Sequence, residues 1–228
     1  DYYKDLVTEL ELVARLDGSS TVGHEEPFGV YIDLHHTQEL EREAGGFSKY
    51  LNNQKNMYFS YNYGRPTENY RDKFQDAAII MLQDHFEVLS VTFNHPETKS
   101  RSNESREGWR VTPYAHLLLK ARGPEVDKIP GLKLDLDFMD TSGYVVLPIS
   151  TSPLPIDAGN KSTPSKWSDT ELVQVLDERE SDKGKLKVEV RATGRGLIPE
   201  LSHLIETKVP AFKIESTEDS GVSVIEFD

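Results

Sequence analysis

Residues 66–86 read PTENYRDKFQDAAIIMLQDHF, and the rest of the chain is organised around this stretch. Its apolar side chains recur at spacings of three and four residues, which places them on one face of an α-helix. Proline at position 66 or threonine at position 67 can begin such a helix. The predicted apolar face consists of Tyr70, Phe74, Ala77, Ala78, Met81, Leu82 and His85. We therefore predict one long helix over residues 66–86, packed against a core.

Two isoleucines lie away from that face. Ile79 falls on the polar side of the predicted helix and Ile80 on its flank, so both should be exposed. One interpretation is that they are ordinary exposed apolar side chains, since much of any protein surface is apolar. The other is that a second surface, from the C-terminal part of the chain or from a partner, covers them.

Alternating apolar and polar residues on both sides of the helix predict β-strands. Pro113 lies within one of these strands and should confine it to a sheet edge or a bulge. The two strands joined by the turn TSG, residues 132–140 and 144–149, should form a hairpin. Between the second strand and the third, residues 38–56 are predicted to be a polar excursion with one helical turn near Phe47, Tyr50 and Leu51. The predicted strands are residues 6–16, 28–37, 57–63, 87–94, 109–122, 132–140 and 144–149.

These elements predict a mainly β protein, with an α+β fold as the alternative. The first domain, residues 1–152, is expected to be an antiparallel, immunoglobulin-like sandwich or a curved sheet packed by the helix. Residues 153–169 are rich in proline and serine and are predicted to be a linker. Residues 170–228 should form a smaller β-rich domain with a short helix at 197–206 and strands at 172–176, 185–192, 209–214 and 222–227. In the strand at 185–192, the side chains of Leu186, Val188, Val190 and Ala192 are expected to point inward.

Composition excludes several classes of function. The net charge of −13 supplies no basic face for a phosphate backbone, so we expect no nucleic-acid partner. The absence of cysteine excludes disulfides, thiolate metal sites and a cysteine nucleophile. The longest apolar run, residues 77–82, is far shorter than the ~20 residues that span a bilayer. We therefore expect no membrane-spanning segment.

The densest group of possible metal ligands lies between residues 24 and 36. Imidazole and carboxylate groups suit zinc or a similar ion, which makes His24, Asp33 and His35 the candidate ligands. Because neighbouring residues of a strand point to opposite faces, at most one of His35 and His36 can join Asp33. The alternative is that these are ordinary hydrogen-bonded or surface histidines.

Two further patterns have both a functional and a structural interpretation. Asp135, Asp137 and Asp140 suggest calcium, but they lack the glycine and the distal glutamate of an EF-hand, and a solvated sheet face also explains them. Aromatic side chains could stack on sugar rings or could pack a core. The candidate sugar-binding residues are Tyr61, Tyr63 and Trp109, with Tyr58 and Tyr114 nearby in sequence. Two glycosylation sequons begin at Asn103 and Asn160.

No nucleophile with its base, carboxylate pair or phosphate loop is recognisable, so we expect no catalytic residues and no cofactor. The favoured hypothesis is a non-catalytic binding or scaffold module of an exported or envelope-associated protein, located outside the cytoplasm. Its partner would be another protein, the rest of a longer polypeptide from which this chain is a mature or excised part, or a glycan. The alternatives are a metal-dependent hydrolase using His24, Asp33 and His35, and a carbohydrate-binding module.

Overall fold

The computed structural model describes residues 8–43, 70–93, 100–140, 143–162, 170–196 and 213–218. Within these ranges the protein is mainly β, as predicted, and most of its strand pairs are antiparallel. The predicted strands at 57–63 and 222–227 and the predicted helix at 197–206 lie outside the described residues. The same holds for the predicted helical turn near Phe47, Tyr50 and Leu51.

The main sheet has the strand order β1-β3-β6-β4, and β5 pairs with one end of β6. Its central strand β3 spans Phe28–Thr37, the range predicted for it. The first strand begins at Leu10, later than the predicted start at residue 6, and Thr8 and Glu9 are not in a strand. The strands of this sheet are β1 (Leu10–Leu16), β3 (Phe28–Thr37), β4 (Phe86–Phe93), β5 (Arg101–Ser102) and β6 (Trp109–Ala121).

Alternation along β3 gives the main sheet two different faces. Val30, Ile32 and Leu34 are fully buried on the face that joins the hydrophobic core. Tyr31 and Asp33 point to the opposite face, since successive side chains of a strand alternate. We call this opposite side the polar face of the sheet.

Pro113 lies in the interior of the sheet, so the prediction of an edge strand is wrong and the prediction of a bulge is confirmed. The register between β3 and β6 shifts there, with Ile32 opposite Ala115 and Asp33 opposite Pro113. On the other side of β6, β5 pairs up to Val111 and β4 begins at Ala115. Proline has no N–H to donate. Among the described strands, Pro113 lies in the gap between β5 and β4, where no partner strand needs an N–H from β6.

The main helix, α2, spans Tyr70–Leu82 and follows a shorter one, α1 (Gln38–Glu43). Its buried apolar residues are Phe74, Ala78 and Leu82, as predicted. Its end is earlier than predicted, and His85 is therefore an exposed turn residue. The reason is tertiary: Arg122 Nε donates to the carbonyl of Gln83 at 2.8 Å, and the N–H of Arg122 donates to the carbonyl of His85 at 2.9 Å. These bonds satisfy carbonyls that a longer helix would have paired internally.

The two isoleucines of α2 differ in exposure. Ile80 is 65% exposed, as the helical pattern predicts, whereas Ile79 is only partly exposed. Asp72, Asp76 and Gln83, on the same side of the helix as Ile79, are exposed.

β8 (Lys133–Asp140) and β9 (Gly143–Ser150) form a hairpin, as predicted. This hairpin covers the core on the side opposite the main sheet. β8 packs against α2, and β9 packs against β1. Leu132 and Leu134 are buried while Lys133 and Asp135 are exposed, in agreement with the alternation of the sequence. The hydrophobic core therefore lies between the main sheet on one side and α2 with the β8–β9 hairpin on the other, in a sandwich-like arrangement.

The first half of the predicted linker is folded into the first domain instead. β10 (Leu154–Pro155) pairs with β7 (Lys128–Ile129), and β11 (Asp157–Asn160) pairs in parallel with β2 (Thr21–Gly23). Ile156 is buried among these strands. The prolines and glycines of this segment indicate turns, but its apolar side chains are spaced by two, and that spacing fits short strands. Residues 163–169 lie outside the described residues.

A separate two-stranded hairpin follows, formed by β12 (Glu171–Asp177) and β13 (Lys187–Thr193). Both strands were predicted, within two residues at each end. A 3₁₀ turn, Ser181–Lys183, and Gly184 in the left-handed conformation connect them. The inward orientation predicted for Leu186 and Val188 is wrong, because these side chains are 39% and 44% exposed. Lys213 and Ile214, at the end of another predicted strand, are not in a strand.

Candidate functional site

The ionisable side chains of the first domain concentrate on the polar face of the main sheet. Cross-strand register brings them together: Arg15 on β1 is opposite Tyr31 on β3, and Tyr31 is opposite His116 on β6. Asp33 and His35 follow on the same face of β3, because residues two apart share a face. Of the metal ligands predicted from sequence, this face includes Asp33 and His35. His24 lies elsewhere, directly after the short strand β2, which pairs with β11 in a separate two-stranded sheet.

Asp33 is held by an arginine. Arg15 Nε donates to Asp33 Oδ2 at 2.7 Å, and the Asp33 side chain is only 1% exposed. The other carboxylate oxygen, Oδ1, is buried and accepts no hydrogen bond from the residues that the structure describes. The Arg15 guanidinium also lies 4.1 Å from the centre of the Tyr31 ring. A buried carboxylate needs a counter-charge, and here Arg15 supplies it.

Tyr31 and His116 lie side by side on the polar face, where His116 is buried and Tyr31 is partly exposed. Their rings meet edge to face, with centroids 5.5 Å apart. Burial and, to a smaller extent, the positive charge of Arg15 lower the pKa of His116 to about 4. Burial also raises the pKa of Tyr31 to about 12, with a smaller contribution from the negative charge of Asp17. Both side chains are therefore neutral at pH 7 and pack as aromatic rings.

His35 is partly exposed. Asn103 Nδ2 lies 3.3 Å from His35 Nδ1, and since an amide nitrogen only donates, Nδ1 accepts and the ring proton is on Nε2. In this tautomer neither ring nitrogen offers a free lone pair to a metal ion. Burial lowers the pKa of His35, against the opposing effect of the Asp33 charge.

The other two histidines of the predicted metal group are used by the fold. His24 Nδ1 donates to the carbonyl of Ala158 at 2.9 Å and so ties β2 to β11. His36 is fully buried on the core side, where its Nδ1 donates to the carbonyl of Thr37 and its Nε2 lies 2.8 Å from Thr112 Oγ1. As the alternation of β3 predicted, His35 and His36 point to opposite faces. Across the described ranges, no three His, Asp or Glu side chains are grouped so that they could hold a metal ion.

Of the candidate sugar-binding residues, the structure describes Trp109 and Tyr114. Trp109 is 9% exposed, and the guanidinium of Arg106 lies 3.3 Å from the centre of its ring. Arg106 is held there by Glu11, whose Oε1 is 2.8 Å from Arg106 Nη1. One face of the indole is thus already occupied by a cation. Tyr114 is buried against Phe74, with ring centroids 5.4 Å apart. Tyr58, Tyr61 and Tyr63 lie outside the described residues.

The acidic group proposed for calcium is only partly described. Asp135 is exposed on β8, opposite Pro148 of β9. The side chains of Asp137 and Asp140 lie outside the described residues. The exposed position of Asp135 agrees with the solvated sheet face that was the alternative interpretation.

Three members of the polar face, Arg15, Tyr31 and His116, were not among the residues predicted from sequence. Arg15 and His116 are 18 and 83 positions away from Asp33, and only the pairing of three strands brings them together. One sequence signal was available, because Arg15 and His116 each interrupt the apolar residues of a strand. That signal does not identify which strand lies beside which.

The hairpin β12–β13 is the second unusual feature, because it exposes apolar side chains on both of its faces. The most exposed are Leu172 and Val175, at 54% and 53%. A shallow cavity of about 630 Å³ lies at one end of the hairpin, beside Asp177, Arg179 and Lys187. Arg179 holds Asp177 through two short hydrogen bonds, and the hydrogen bond from its side chain lowers the pKa of Asp177 to about 2. The full set of large exposed apolar side chains in the described ranges is Ile80, Leu172, Val173, Val175, Leu176, Leu186, Val188 and Ile214.

The chain was compared with family models, with curated proteins and with solved structures, and none of them matches it. No helix in the described parts of the chain is long and apolar enough to cross a membrane.

Proposed function

We propose that this protein is a non-catalytic binding or scaffold module of an exported or envelope-associated protein, located outside the cytoplasm. Its first domain is a rigid, immunoglobulin-like sandwich that carries the hairpin β12–β13 as its contact element for other polypeptides. The observation that carries the proposal is the separation of polar chemistry from exposed apolar surface. The polar face is held in internal pairs. Of the eight large exposed apolar side chains in the described ranges, six lie in the hairpin or in the connection between its strands, and a seventh, Ile214, lies in residues 213–218.

The polar face supports a structural role. A catalytic group needs access to its substrate and a pKa matched to its task. Asp33 and His116 are 1% and 3% exposed, and His116 cannot gain a proton near pH 7. Arg15 holds Asp33 in an ion pair across β1 and β3. These contacts fix the pairing of the central strands and leave little reactive capacity.

The hairpin supports the binding role. Apolar side chains gathered in one exposed element mark surfaces that other molecules cover. A two-stranded hairpin is marginally stable in water by itself, so further contacts would stabilise it. Three charged residues, Asp177, Arg179 and Lys187, lie at one end of the hairpin. They border its exposed apolar side chains in the way that a polar rim borders an interface core.

Metal analysis distinguishes this proposal from the metal-dependent hydrolase. Full-length protein is incubated with zinc, dialysed, and assayed for bound metal by elemental analysis, beside the variants His35→Ala and His24→Ala. A binding module should retain far less than one metal ion per chain in all three samples. One tightly held ion per wild-type chain that disappears in His35→Ala or in His24→Ala would overturn the proposal.

A further inference from the structure

The sequence of β12 is nearly symmetric about its centre. Residues 171–177 read ELVQVLD, so that Gln174 is flanked first by valines, then by leucines, and finally by acids. When such a strand pairs antiparallel with an identical strand, every residue meets its own kind. The symmetry is therefore a form of self-complementarity.

Among the residues that the structure describes, β12 is an edge strand. β12 pairs with β13 on one side, and within the described part of the chain no strand pairs with its other side. The five residues from Leu172 to Leu176 carry no charge. An uncharged, exposed edge strand is a ready template for pairing with another chain.

The other edge of the hairpin is protected. β13 carries Lys187, Glu189 and Arg191 at alternate positions, and charged side chains, lysine above all, discourage a further strand. Arg191 and Glu189 are also paired with each other, with Nη2 and Oε1 3.0 Å apart. The two edges therefore differ, and β12 is the one suited to strand addition.

We propose that β12 pairs antiparallel with β12 of a second copy of this chain, about a two-fold axis at Gln174. The two hairpins then form one four-stranded sheet of order β13-β12-β12-β13. Val173 of one copy lies opposite Val175 of the other, and Leu172 lies opposite Leu176, so the valines are matched on one face and the leucines on the other. The backbone groups at the outer edge of β12 gain hydrogen-bond partners in the same step.

The ends of the joined strands are balanced in charge. Glu171 of one copy lies opposite Asp177 of the other, and two carboxylates facing each other would repel. Each Asp177 is, however, held by Arg179, whose side chain is 87% exposed, and it lies opposite Lys187 within its own hairpin. At each end of the joint, Arg179 and Lys187 thus offset the charges of Glu171 and Asp177.

Because the chain contains no cysteine, one introduced thiol reports on the two-fold axis. In the proposed dimer of Gln174→Cys, the two cysteines lie directly opposite each other. Their Cα atoms then fall within the separation of about 4.4–6.8 Å that disulfides require. The full-length variant, incubated in a glutathione redox buffer, should form a disulfide-linked dimer on a non-reducing gel. Val188→Cys, in β13 of the same hairpin, should form much less. Equal crosslinking of the two variants would overturn the proposal.

Sedimentation of the full chain provides a second test. The wild-type mass should rise from one toward two chains with concentration. The double variant Val173→Glu/Val175→Glu should stay monomeric, as should Val173→Lys/Val175→Lys. An equimolar mixture of the two variants should form a heterodimer, because opposite charges then face each other. Ile80→Glu, an exposed apolar residue on α2, is the matched control and should associate like the wild type.

A wild-type chain that stays monomeric at every concentration would overturn the inference, and so would a mixture that fails to associate. Loss of association in Ile80→Glu would place the contact elsewhere on the molecule and would also overturn it. The inference rests on the proposed function, since both use the same hairpin. The two fail separately, because a monomeric chain that binds no metal leaves the binding-module proposal standing.

Discussion

Individual residues on the polar face show how a β-sheet accommodates ionisable groups without making a reactive site. Arg15 neutralises Asp33, and His116 stays uncharged because its environment disfavours a second positive charge. The stability of the fold should therefore depend on pH through His116.

Acid should destabilise the protein as His116 is forced to take up a proton. Its folded pKa of about 4 lies below the ordinary value of 6.5, so the unfolded chain binds more protons between these pH values. The contribution of His116 is fully present above pH 6.5 and is lost as the pH falls toward 4. At about 1.4 kcal/mol per pKa unit, it amounts to roughly 3 kcal/mol.

Urea unfolding of the wild type and of His116→Phe at pH 7, 5 and 4 measures this contribution. Phenylalanine retains an aromatic ring beside Tyr31, so the variant should lose less stability than the wild type as the pH falls. His85→Phe changes an exposed histidine and should keep the wild-type pH dependence. Parallel pH curves for the wild type and His116→Phe would show that His116 protonates freely in the folded state.

Contacts at the ends of helices and strands determine where these elements begin and end. α1 follows directly from β3, and Thr37 makes the junction: its Oγ1 accepts from the N–H of Leu40 at 3.1 Å and donates to Glu9 Oε2 at 3.0 Å. Leu40 is fully buried and anchors the helix to the core. A helix of only six residues depends strongly on such a cap.

Removing that cap should destabilise the junction of β3 and α1. Thr37→Ala deletes the side-chain oxygen and should lower the free energy of unfolding by about 1 kcal/mol. Thr37→Ser keeps the oxygen and should lie much closer to the wild type. Chemical denaturation monitored by circular dichroism measures both. An alanine variant as stable as the serine variant would mean that burial of Leu40 alone holds α1.

The elements also differ in how far the sequence predicted them. β3 was predicted to the residue, since its apolar side chains alternate along its whole length. The end of α2 was not predicted to the residue. The apolar spacing continues to His85, but Arg122, at the end of a strand distant in sequence, donates a hydrogen bond to the carbonyl of Gln83. Periodicity identifies the type of an element, and its last turn depends on what packs there.

At the scale of the whole molecule, the described residues differ sharply in burial. Strands β3 and β6 lie inside a core of closely packed apolar side chains, whereas no residue of β12 or β13 is buried and most are exposed. Local stability follows such differences in burial, since regions with few apolar contacts open at little cost in free energy.

Amide hydrogen exchange should therefore separate the hairpin from the sandwich. At protein concentrations where the chain sediments as a monomer, the amides of β12 and β13 should exchange orders of magnitude faster than those of β3 and β6. The chain unfolded in urea gives the reference rate for unprotected amides. Protection of β12 equal to that of β6 would contradict this and would mean that the hairpin is stabilised within a single chain.

The sequence by itself determined the mainly β class, the strands with regular alternation, the face of α2 that is buried, and the opposite orientations of His35 and His36. All of these follow from local periodicity, which is fixed by backbone geometry over a few residues. Only the tertiary structure decided that Arg15, Asp33 and His116 share one face, that Pro113 lies at a bulge inside the sheet, and that Ile156 is buried. Each depends on which strand lies beside which, and pairing between distant segments is set by the total burial of the folded chain.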